Sequence, residues 1–453
     1  MVFKDKRILV VGSGISGVAA CGLLRKEGAQ VILFDGNDKL TVEELRSRSD
    51  EFAELEAYVG ELPEEVRSKL DMAVLSPGVP LDIPLVVDLK ERNILILGEI
   101  ELAYQVAKGS ILAITGTNGK TTTTALVGEI MKNYFADVKV VGNIGIPYTS
   151  VAEDTTDETV TVAEISSFQL ETAIEFHPKV SAILNITPDH LNRHHTMECY
   201  IETKESITKN QTGDDICVLN YEDEVLRSFG ERVQTRVVYF SSKRKLENGL
   251  YLEDGVIYYA VNGNAERVIA VDELNLLGVH NYENVMAAVG IAVSFGVPME
   301  KICEVLVRFQ AVEHRIEYVT EKRGVKFYND SKGTNPDAAI QGIRAMNRRT
   351  LLIGGGYDKD SEYDEWIEAF DGKVKLLVLL GATAQKIAEC ARKHGFTDIV
   401  FAETLEEAVN ICYENSKSGE AVLLSPACAS WGMFRNYEER GRIFKELVRN
   451  LKE

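Results

Sequence analysis

The stretch at residues 111–124, I-L-A-I-T-G-T-N-G-K-T-T-T-T, constrains the fold more than any other part of the chain. Apolar and β-branched residues run into Gly116 and predict a strand, and apolar residues at helical spacing follow Thr121. A glycine turn between a strand and a helix aims backbone N–H groups at one point, where an anion is stabilised. Lys120 can reach phosphate oxygens there, and the Thr121 hydroxyl can bind Mg²⁺. We therefore predict a nucleotide-phosphate loop in an α/β sheet, although Ile114 occupies the place of the first glycine in G-x-x-x-x-G-K-[ST].

Length and charge exclude several classes of protein. The 453 residues are enough for two to four domains, and a net charge of −20 without a Lys/Arg-rich run argues against nucleic acid as a partner. No apolar stretch approaches the length of a membrane span, and the N-terminus lacks the layout of a signal peptide. Seven cysteines without a C-x-x-C motif suggest reduced thiols. We expect a cytoplasmic protein that is not bound to a membrane.

A second phosphate-binding turn is predicted near the N-terminus. Residues 7–11 have strand composition and lead into G-S-G-I-S-G at residues 12–17, and a second predicted strand ends at Asp35. This is a G-x-G-x-x-G fingerprint, so a redox dinucleotide is one interpretation. The turn itself recognises only a diphosphate, whatever sugar or base is attached. A further predicted strand at 71–75 breaks at Gly78, in a loop where open α/β sheets bind ligands.

Polar side chains follow three predicted strands after the central phosphate loop. Asn143 lies just after the predicted strand at 139–141, Glu164 directly follows the strand at 159–163, and His190 lies just after the strand at 180–186. Because carboxyl ends of parallel strands meet at one edge of a sheet, a carboxylate and an imidazole there predict a metal site. A zinc site formed by His190, His194 and His195 is an alternative, although no cysteine is nearby and H-E-x-x-H is absent.

Lys204 interrupts the apolar face of a helix predicted at residues 196–208, and no acidic residue lies three or four positions away. A desolvated lysine favours its neutral amine, and only a neutral amine can add CO₂ to form a carbamate. The alternative is a snorkelling lysine whose alkyl stem merely covers apolar surface.

The last 140 or so residues alternate strand and helix signals in the doubly wound style. Polar groups again follow strands, in N-D-S-K-G-T-N-P at 329–336, in G-G-G-Y-D-K at 354–359 and in S-P-A-C-A-S-W at 425–431. Before this region, Asn281 opens a predicted helix, where its amide either binds an adenine edge or serves as a cap.

Taken together, these motifs resemble the Mur ligase family of ATP-dependent amide-forming enzymes, and the resemblance covers essentially the whole chain. The motifs that arrive in the family's order are T-G-T-N-G-K-T at 115–121, Glu164 with Ser166 and Ser167, Asp189-His190, His280-Asn281 with Asn284, Glu313-His314-Arg315 and Asp330-Ser331-Lys332. The closing segment at 424–441 is similar to that of the branch that adds D-glutamate. The runner-up is a member that adds L-alanine, a diamino acid, or glutamate to folate. A P-loop switch without ligase activity is a further alternative.

The resemblance implies three α/β domains and a monomer. These are a Rossmann-like domain for a UDP-linked substrate at 1–98, a central P-loop ATPase-like domain at 99–309, and a Rossmann-like, doubly wound domain for the amino acid at 310–453. The substrates implied are ATP, UDP-MurNAc-L-Ala and D-glutamate, joined through an acyl phosphate. The departures are Asp35-Gly36-Asn37, where a D-x-R pattern is common, and Asn192, where many relatives have Asp.

The resemblance also implies site residues. For ATP they are Gly116, Thr117, Asn118, Gly119, Lys120, Thr121, Thr122, Asn281, Arg315 and Asp330. For the UDP-linked substrate they are Ser13, Gly14, Ile15, Ser16, Asp35, Gly78, Asn143 and His190. For D-glutamate they are Lys332, Thr334, Lys359, Ser430 and Tyr437. For two Mg²⁺ ions they are Thr121, Glu164, His190 and Lys204, the last as a carbamate, and Lys120, His190 and Lys204 are the implied catalytic residues.

Overall fold

The computed structural model describes residues 3–143, 146–310, 313–358 and 361–452. Its described part contains three β-sheets flanked by helices, which confirms the predicted α/β class with three sheets. The chain divides into two compact units, Met1–Val268 with Glu283–Val305 and Ile269–Tyr282 with Leu306–Glu453. The first two sheets belong to the first unit, apart from the end of one edge strand, and the third sheet belongs to the second unit.

The first sheet is a small Rossmann-like sheet near the N-terminus. Its strands are β1 (Arg7–Val11), β2 (Gln30–Asp35), β3 (Glu56–Val59), β4 (Met72–Leu75) and β5 (Leu95–Gly98). Its helices are α1 (Ile15–Lys26), α2 (Val42–Ser47), α3 (Glu64–Arg67), α4 (Pro84–Glu91) and α5 (Glu99–Val106). The strand order is β3-β2-β1-β4-β5 and every pairing is parallel, so the turn after β1 lies at the carboxyl edge.

The turn between β1 and α1 depends on two of its glycines. Gly12 has a φ of +102°, in the left-handed region that favours glycine. A Cβ at Gly17 would lie 2.0 Å from the Gly12 carbonyl oxygen, so the first turn of α1 packs directly on the turn backbone. A Cβ at Gly14 would meet no atom within 4 Å. Of the three glycines in the fingerprint, Gly12 is therefore required by its backbone conformation and Gly17 by packing, whereas Gly14 has room for a side chain.

The second sheet contains the central phosphate loop. Its strands are β6 (Ser110–Thr115), β7 (Val138–Gly142), β8 (Val160–Glu164), β9 (Val180–Ile183), β10 (Ile216–Asn220), β11 (Arg236–Ser241), β12 (Gly249–Glu253), β13 (Val256–Val261) and β14 (Asn264–Ala270). Its helices are α6 (Lys120–Lys132), α7 (Ser167–Leu170), α8 (Leu191–His194), α9 (Met197–Glu205), α10 (Glu224–Gly230), α11 (Val279–Ser294) and α12 (Met299–Arg308). The order is β14-β13-β12-β11-β10-β9-β6-β8-β7, parallel from β7 to β12, with β13 antiparallel to β12.

Residues 213–259 correct one expectation from the sequence. Short strand and turn signals in this stretch predict an insertion or a sheet edge, but β10 lies inside the sheet between β9 and β11. The reason is burial, because Cys217, Val218 and Leu219 are fully buried and extend the parallel sheet. Only β12 to β14 form the expected edge. The sequence pattern predicts a helix over residues 285–294, and the structure begins that helix earlier, at Val279, so that Asn281 lies in its first turn.

The third sheet forms the C-terminal unit. Its strands are β15 (Glu317–Lys322), β16 (Val325–Asn329), β17 (Thr350–Gly354), β18 (Val374–Leu379), β19 (Ile399–Phe401) and β20 (Ala421–Leu424). Its helices are α13 (Pro336–Ala345), α14 (Asp364–Glu368), α15 (Ala384–Lys393), α16 (Leu405–Asn415) and α17 (Tyr437–Arg449). The order is β15-β16-β20-β17-β18-β19, and only β15 is antiparallel. An apolar core lies on each face, as the doubly wound prediction requires. None of the helices in the described residues has the length and apolar character needed to cross a membrane.

We predict that Gly17→Ala destabilises the protein and that Gly14→Ala has a far smaller effect. The new methyl at residue 17 would collide with backbone, and overpacking of this kind typically costs about 1 to 3 kcal/mol. Thermal unfolding of the two variants beside wild type measures the difference. Equal unfolding midpoints for the two variants would contradict the packing seen at the start of α1.

Candidate active site

The central phosphate loop joins β6 to α6 through two glycines with positive φ. Gly116 has a φ of +146° and Gly119, the residue before α6, has a φ of +86°. A Cβ at Gly119 would lie 2.2 Å from the side-chain oxygen of Asn284 in α11. Both positions therefore require glycine, and the first backbone N–H groups of α6 are directed at the loop, where they can bind phosphate.

Residues that follow the neighbouring strand β9 hold the loop in place through hydrogen bonds. Asn185 accepts a hydrogen bond from the Asn118 backbone N–H at 2.8 Å and donates one to the Asn118 carbonyl at 3.1 Å. The Thr117 hydroxyl lies 3.0 Å from the Tyr200 hydroxyl and accepts from the Thr187 N–H at 3.0 Å. These contacts hold the backbone of the loop against the segment that follows β9.

Two lysines converge on one carbonyl oxygen of this loop. Lys120 donates to the carbonyl oxygens of Gly116 at 2.8 Å and Thr117 at 2.9 Å. Lys204, from α9, donates to the same Gly116 oxygen at 2.9 Å. The structure thus brings together two residues that the sequence separates by 84 positions, and places both at the phosphate loop.

The environment of Lys204 lowers its affinity for a proton. The residue is 1% exposed and its Nζ lies 4.8 Å from the centre of the Tyr200 ring. Burial, followed by the charge of Lys120, lowers the pKa of Lys204 to about 7, against a smaller opposing effect of Asp189. A snorkelling lysine would keep its ammonium in water, so the burial of Lys204 rules that alternative out.

Two of the three residues predicted at the carboxyl edge, Asn143 and Glu164, are in contact at the ends of the neighbouring strands β7 and β8. Glu164 ends β8, is 2% exposed, and accepts a hydrogen bond from the Asn143 side chain at 3.1 Å. Thr121 and Thr122 lie in the first turn of α6. Buried carboxylate and threonine hydroxyl oxygens at a phosphate loop are ligands of the kind Mg²⁺ takes, so these residues fit that ion.

The three histidines after β9 point to different partners. His190 is half exposed, has a φ of +52°, and lies 4.8 Å from the Phe168 ring between ring centres. His194 is buried, with its Nε2 2.9 Å from the Ser167 hydroxyl, and burial lowers its pKa. His195 faces Asp82 at 3.7 Å. This divergence argues against the alternative of a three-histidine zinc site.

The N-terminal turn contains a cation that the sequence motifs did not indicate. Ser13 donates a hydrogen bond to the Asp35 carboxylate, and Arg48 donates to the Ser13 hydroxyl at 2.5 Å. Arg48 also lies 3.8 Å from the Asp35 carboxylate. The other predicted residues of this turn include Ile15, which is 75% exposed at the start of α1. Gly14, Ser16 and Gly78 also lie in loops or a first turn at the carboxyl ends of β1 and β4.

Three of the residues predicted for ATP, Asn281, Arg315 and Asp330, lie in the C-terminal unit. Asn281 donates to the Leu277 carbonyl at 2.8 Å. Asp330 is buried and accepts hydrogen bonds from the Ser425 hydroxyl at 2.7 Å and the Ile316 N–H at 3.3 Å. Burial raises the pKa of Asp330 to about 7. The Nε of Arg315 is buried without a hydrogen-bond partner in the described part of the chain, so this guanidinium retains an unsatisfied donor.

The residues predicted for D-glutamate are only partly brought together. The Lys332 ammonium lies 5.9 Å from the centre of the Tyr437 ring, and the Thr334 N–H bonds to the Lys332 carbonyl. Ser430 is buried beside a cavity lined by Gly355, Gly356 and Arg440, among others. Lys359 lies outside the described residues.

Comparison with known proteins decides the family. A UDP-N-acetylmuramoylalanine--D-glutamate ligase of Lachnoclostridium phytofermentans is 58% identical over 453 residues, covering all of both chains. A ligase of the same name from Lachnospira eligens is 56% identical over 452 residues, again covering all of both chains. The chain belongs to the Mur ligase family. This confirms the family that the motifs indicated.

Family models and a solved structure agree with this assignment. The Mur ligase MurD-like N-terminal domain matches residues 6–98, the Mur ligase middle domain matches 114–292, and the Mur ligase glutamate ligase domain matches 314–428. The UDP-N-acetylmuramate-alanine ligase of Thermotoga maritima has a TM-score of 0.60 at 20% identity, over 99% of this chain and all of that one. That likeness shows the shared three-domain Mur ligase fold.

Sequence reasoning missed a buried arginine in this Mur ligase. Arg440 is 2% exposed and donates to the Ser331 hydroxyl at 2.9 Å, the Ser331 carbonyl at 2.8 Å and the Cys428 carbonyl at 3.2 Å. It ties the loop after β16 to the loop after β20 at the start of α17. Its position in the closing motif was visible, but its partners lie 109 and 12 residues away and no spacing rule joins them.

We predict that Lys204→Met stabilises the ligand-free protein at low pH, and that the gain shrinks as pH rises. The pKa of Lys204 falls from 10.5 to about 7 on folding, so between these values the unfolded chain binds a proton that the folded chain lacks. Wild type therefore gains stability as pH rises through this window, at ~1.4 kcal/mol per unit of pKa difference for a fully buried group. Methionine removes the charge and this dependence.

Denaturant unfolding in CO₂-free buffer between about pH 6 and pH 10 measures the effect. Lys209→Met is the matched control, because Lys209 follows the same helix and is exposed. A constant difference between Lys204→Met and wild type across this range would contradict a neutral Lys204.

Proposed function

We propose that this Mur ligase adds D-glutamate to UDP-N-acetylmuramoyl-L-alanine, with cleavage of ATP, as a step of peptidoglycan precursor synthesis. Full-length identity of 58% to a relative that bears this activity in its name carries the proposal. The geometry of the phosphate loop supports it, because an acyl-phosphate route needs a cation at the γ-phosphate and a shielded carboxylate beside it.

The first step activates the alanyl carboxylate. One of its oxygens attacks the γ-phosphorus of ATP, the bond to the β,γ-bridging oxygen breaks, and ADP leaves. Negative charge is spread over the transferring phosphoryl oxygens. Lys120 would exchange its bonds to the Gly116 and Thr117 carbonyls for bonds to phosphate oxygens, and the N–H groups at the start of α6 would supply further donors.

Thr121 and Glu164 would hold one Mg²⁺, and His190 with carbamylated Lys204 would hold a second. Bound Mg²⁺ would neutralise phosphate charge and reduce its repulsion of the substrate carboxylate. Asn143 would position Glu164 through the hydrogen bond already present. A carbamate at Lys204 forms when the neutral amine attacks CO₂ and releases one proton to solvent. The lowered pKa of Lys204, about 7, supplies that neutral amine near neutral pH.

The second step forms the amide. The amine of D-glutamate attacks the acyl carbon, loses a proton, and phosphate leaves from the tetrahedral intermediate. We propose that Lys332, Thr334, Lys359, Ser430 and Tyr437 bind the two carboxylates of D-glutamate. We propose that Asn281, Arg315 and Asp330 contact adenine, phosphate and ribose respectively.

The UDP part of the substrate would lie at the N-terminal turn. Ser13, Gly14, Ile15 and Ser16 would bind the diphosphate through the start of α1, with Asp35 and Gly78 near uracil or ribose. Arg48 is the cation that supports this site, since the chain has Asn37 where an arginine is common. Its contact with Ser13 and its proximity to Asp35 would place a positive charge beside the diphosphate.

The domain boundaries at 98/99 and 309/310, the monomeric state and the cytoplasmic location are further parts of this proposal. All seven cysteines are free thiols in the structure, which is consistent with a reducing compartment. ATP and the UDP-linked precursor are substrates of that compartment.

The activity is tested by incubating the enzyme and Mg²⁺-ATP with UDP-N-acetylmuramoyl-L-alanine and one amino acid at a time. We expect phosphate release and a new amide only with D-glutamate. L-glutamate is the matched control, and L-alanine and a diamino acid cover the alternative members of the family. Amide formation with another amino acid and none with D-glutamate would overturn the proposal, and saturable NADH binding competed by NAD⁺ but not UDP would revive the redox interpretation.

We predict that Lys204→Ala loses most activity and that acetate or formate restores part of it. A small carboxylate can occupy the space of the missing side chain and replace the anionic ligand of the proposed carbamate. Wild type should gain nothing from either anion. ¹³C NMR with labelled bicarbonate provides the direct measurement, because a carbamate carbon should appear in wild type and disappear in Lys204→Ala. Absence of that signal in the Mg²⁺-ATP complex would show that Lys204 acts as an amine.

A further inference from the structure

Two helices of the C-terminal unit bring together a carboxylate, a thiol and an imidazole that the proposed reaction does not use. Asp364 begins α14, while Cys390 lies in α15 and His394 follows its last residue. The His394 N–H bonds to the Cys390 carbonyl, so the helical spacing of four residues continues to His394 and both side chains lie on one face.

The ligand atoms of the three side chains lie close enough together for small movements to bring them around one metal ion. One ligand atom from each lies within 4.8 Å of the other two, and His394 Nε2 is 2.8 Å from the Asp364 carboxylate. In a tetrahedral zinc site, bond lengths of about 2.0 to 2.3 Å place neighbouring ligand atoms roughly 3.3 to 3.7 Å apart. Small side-chain rotations would therefore admit an ion, and all three residues are at least partly exposed.

Glu368 supplies an independent observation that favours a ligand role for His394. Its carboxylate lies 3.7 Å from Nδ1, the ring nitrogen that faces away from Asp364. Histidines that bind a metal through one nitrogen usually direct the other N–H to a carboxylate, which fixes the tautomer and the ring orientation. At 3.7 Å this contact is an ion-pair distance and longer than a hydrogen bond, and a rotation of Glu368 that shortens it would give Nδ1 an acceptor and leave Nε2 as the metal-binding atom.

The packing beneath these residues keeps the two helices in place. Trp366 and Ile367 of α14 and Ile387 and Ala391 of α15 belong to one buried core. The backbone on both sides of the cluster is thus anchored without a metal. An ion would act on an existing arrangement and would not be needed for folding.

We propose that Asp364, Cys390 and His394 bind one divalent transition-metal ion of the zinc class, with water in the fourth position. Thiolate and imidazole select zinc, cobalt or nickel over magnesium, which takes oxygen ligands. This ion is therefore chemically distinct from the Mg²⁺ of the ligase reaction. The C-terminal unit would therefore bind a transition-metal ion through these three side chains.

Binding releases a proton. The Cys390 thiol must lose its proton to solvent as the metal–sulfur bond forms, and the Asp364–His394 hydrogen bond is exchanged for two metal bonds. Because a proton is released when the metal–sulfur bond forms, metal affinity should rise with pH.

Cobalt titration of the reduced, chelator-treated full-length protein in excess Mg²⁺ tests the proposal. We expect a thiolate-to-cobalt charge-transfer band in the near ultraviolet that saturates at one equivalent and disappears when Zn²⁺ is added. Cys390→Ser should abolish the band, and His394→Gln should weaken binding by ~10-fold or more. Cys199→Ser is the matched control, because Cys199 is an exposed thiol outside the cluster, and it should keep the band.

Alkylation of the native enzyme gives a second measurement. Zn²⁺ should slow modification of Cys390 by ~10-fold or more, because a metal-bound thiolate is shielded, and should leave Cys199 unchanged. The proposal is overturned if no charge-transfer band forms, if Cys390→Ser retains it, or if Cys199→Ser removes it. Circular dichroism of Cys390→Ser confirms that loss of the band is not loss of the fold.

Discussion

The site depends on one carbonyl oxygen, that of Gly116, which accepts hydrogen bonds from Lys120 at 2.8 Å and Lys204 at 2.9 Å. The two nitrogens are therefore at most 5.7 Å apart, the sum of those distances. Two full charges at that separation repel by at least ~3 kcal/mol at an effective dielectric of about 20. Lys204, which is 1% exposed, also bears the cost of desolvation. The loop geometry thus favours one ammonium and one neutral amine, and burial decides which lysine is neutral.

This asymmetry gives the two lysines different chemistry at one point of the loop. Lys120 lies at the first position of α6, where its ammonium can move from the loop carbonyls to a phosphate while remaining charged. Lys204 comes from a separate helix and is buried against Tyr200. Only the neutral amine can react with CO₂, and the resulting carbamate would reverse the sign of the charge at that position. A repulsive pair of cations would then become a cation beside an anion, and that anion would be able to hold Mg²⁺.

The sequence predicts this site to the extent that its contacts are local. The strand, turn and helix around the phosphate loop follow from residues 111–124, and the apolar stripe of α9 was sufficient to single out Lys204. Arg48 and Arg440 were missed because their partners lie 35 and 109 positions away, where no periodicity applies. Glu205 shows the same limit. Its position four residues before Lys209 predicts an ion pair with that lysine. In the structure it pairs with Arg232 at 2.5 Å, because the chain after α10 returns to the side of α9 that carries Glu205. Lys359 remains a prediction, since it lies outside the described residues.

Burial disfavours the charged form of a cationic residue, Lys204, in the first unit and of an anionic residue, Asp330, in the second. In the C-terminal unit Asp330 is held by Ser425 and the Ile316 backbone, and burial raises its pKa to about 7, the value to which burial lowers that of Lys204. Below this pH the lysine carries +1 and the carboxyl is neutral, and above it the lysine is neutral and the carboxylate carries −1. The proposed roles favour the second state in both cases, because CO₂ requires the free amine and an ionised carboxylate is the stronger hydrogen-bond acceptor for ribose hydroxyls. In each compact unit, local desolvation therefore moves the pKa of one proposed site residue toward neutral pH, although the two groups have opposite charge.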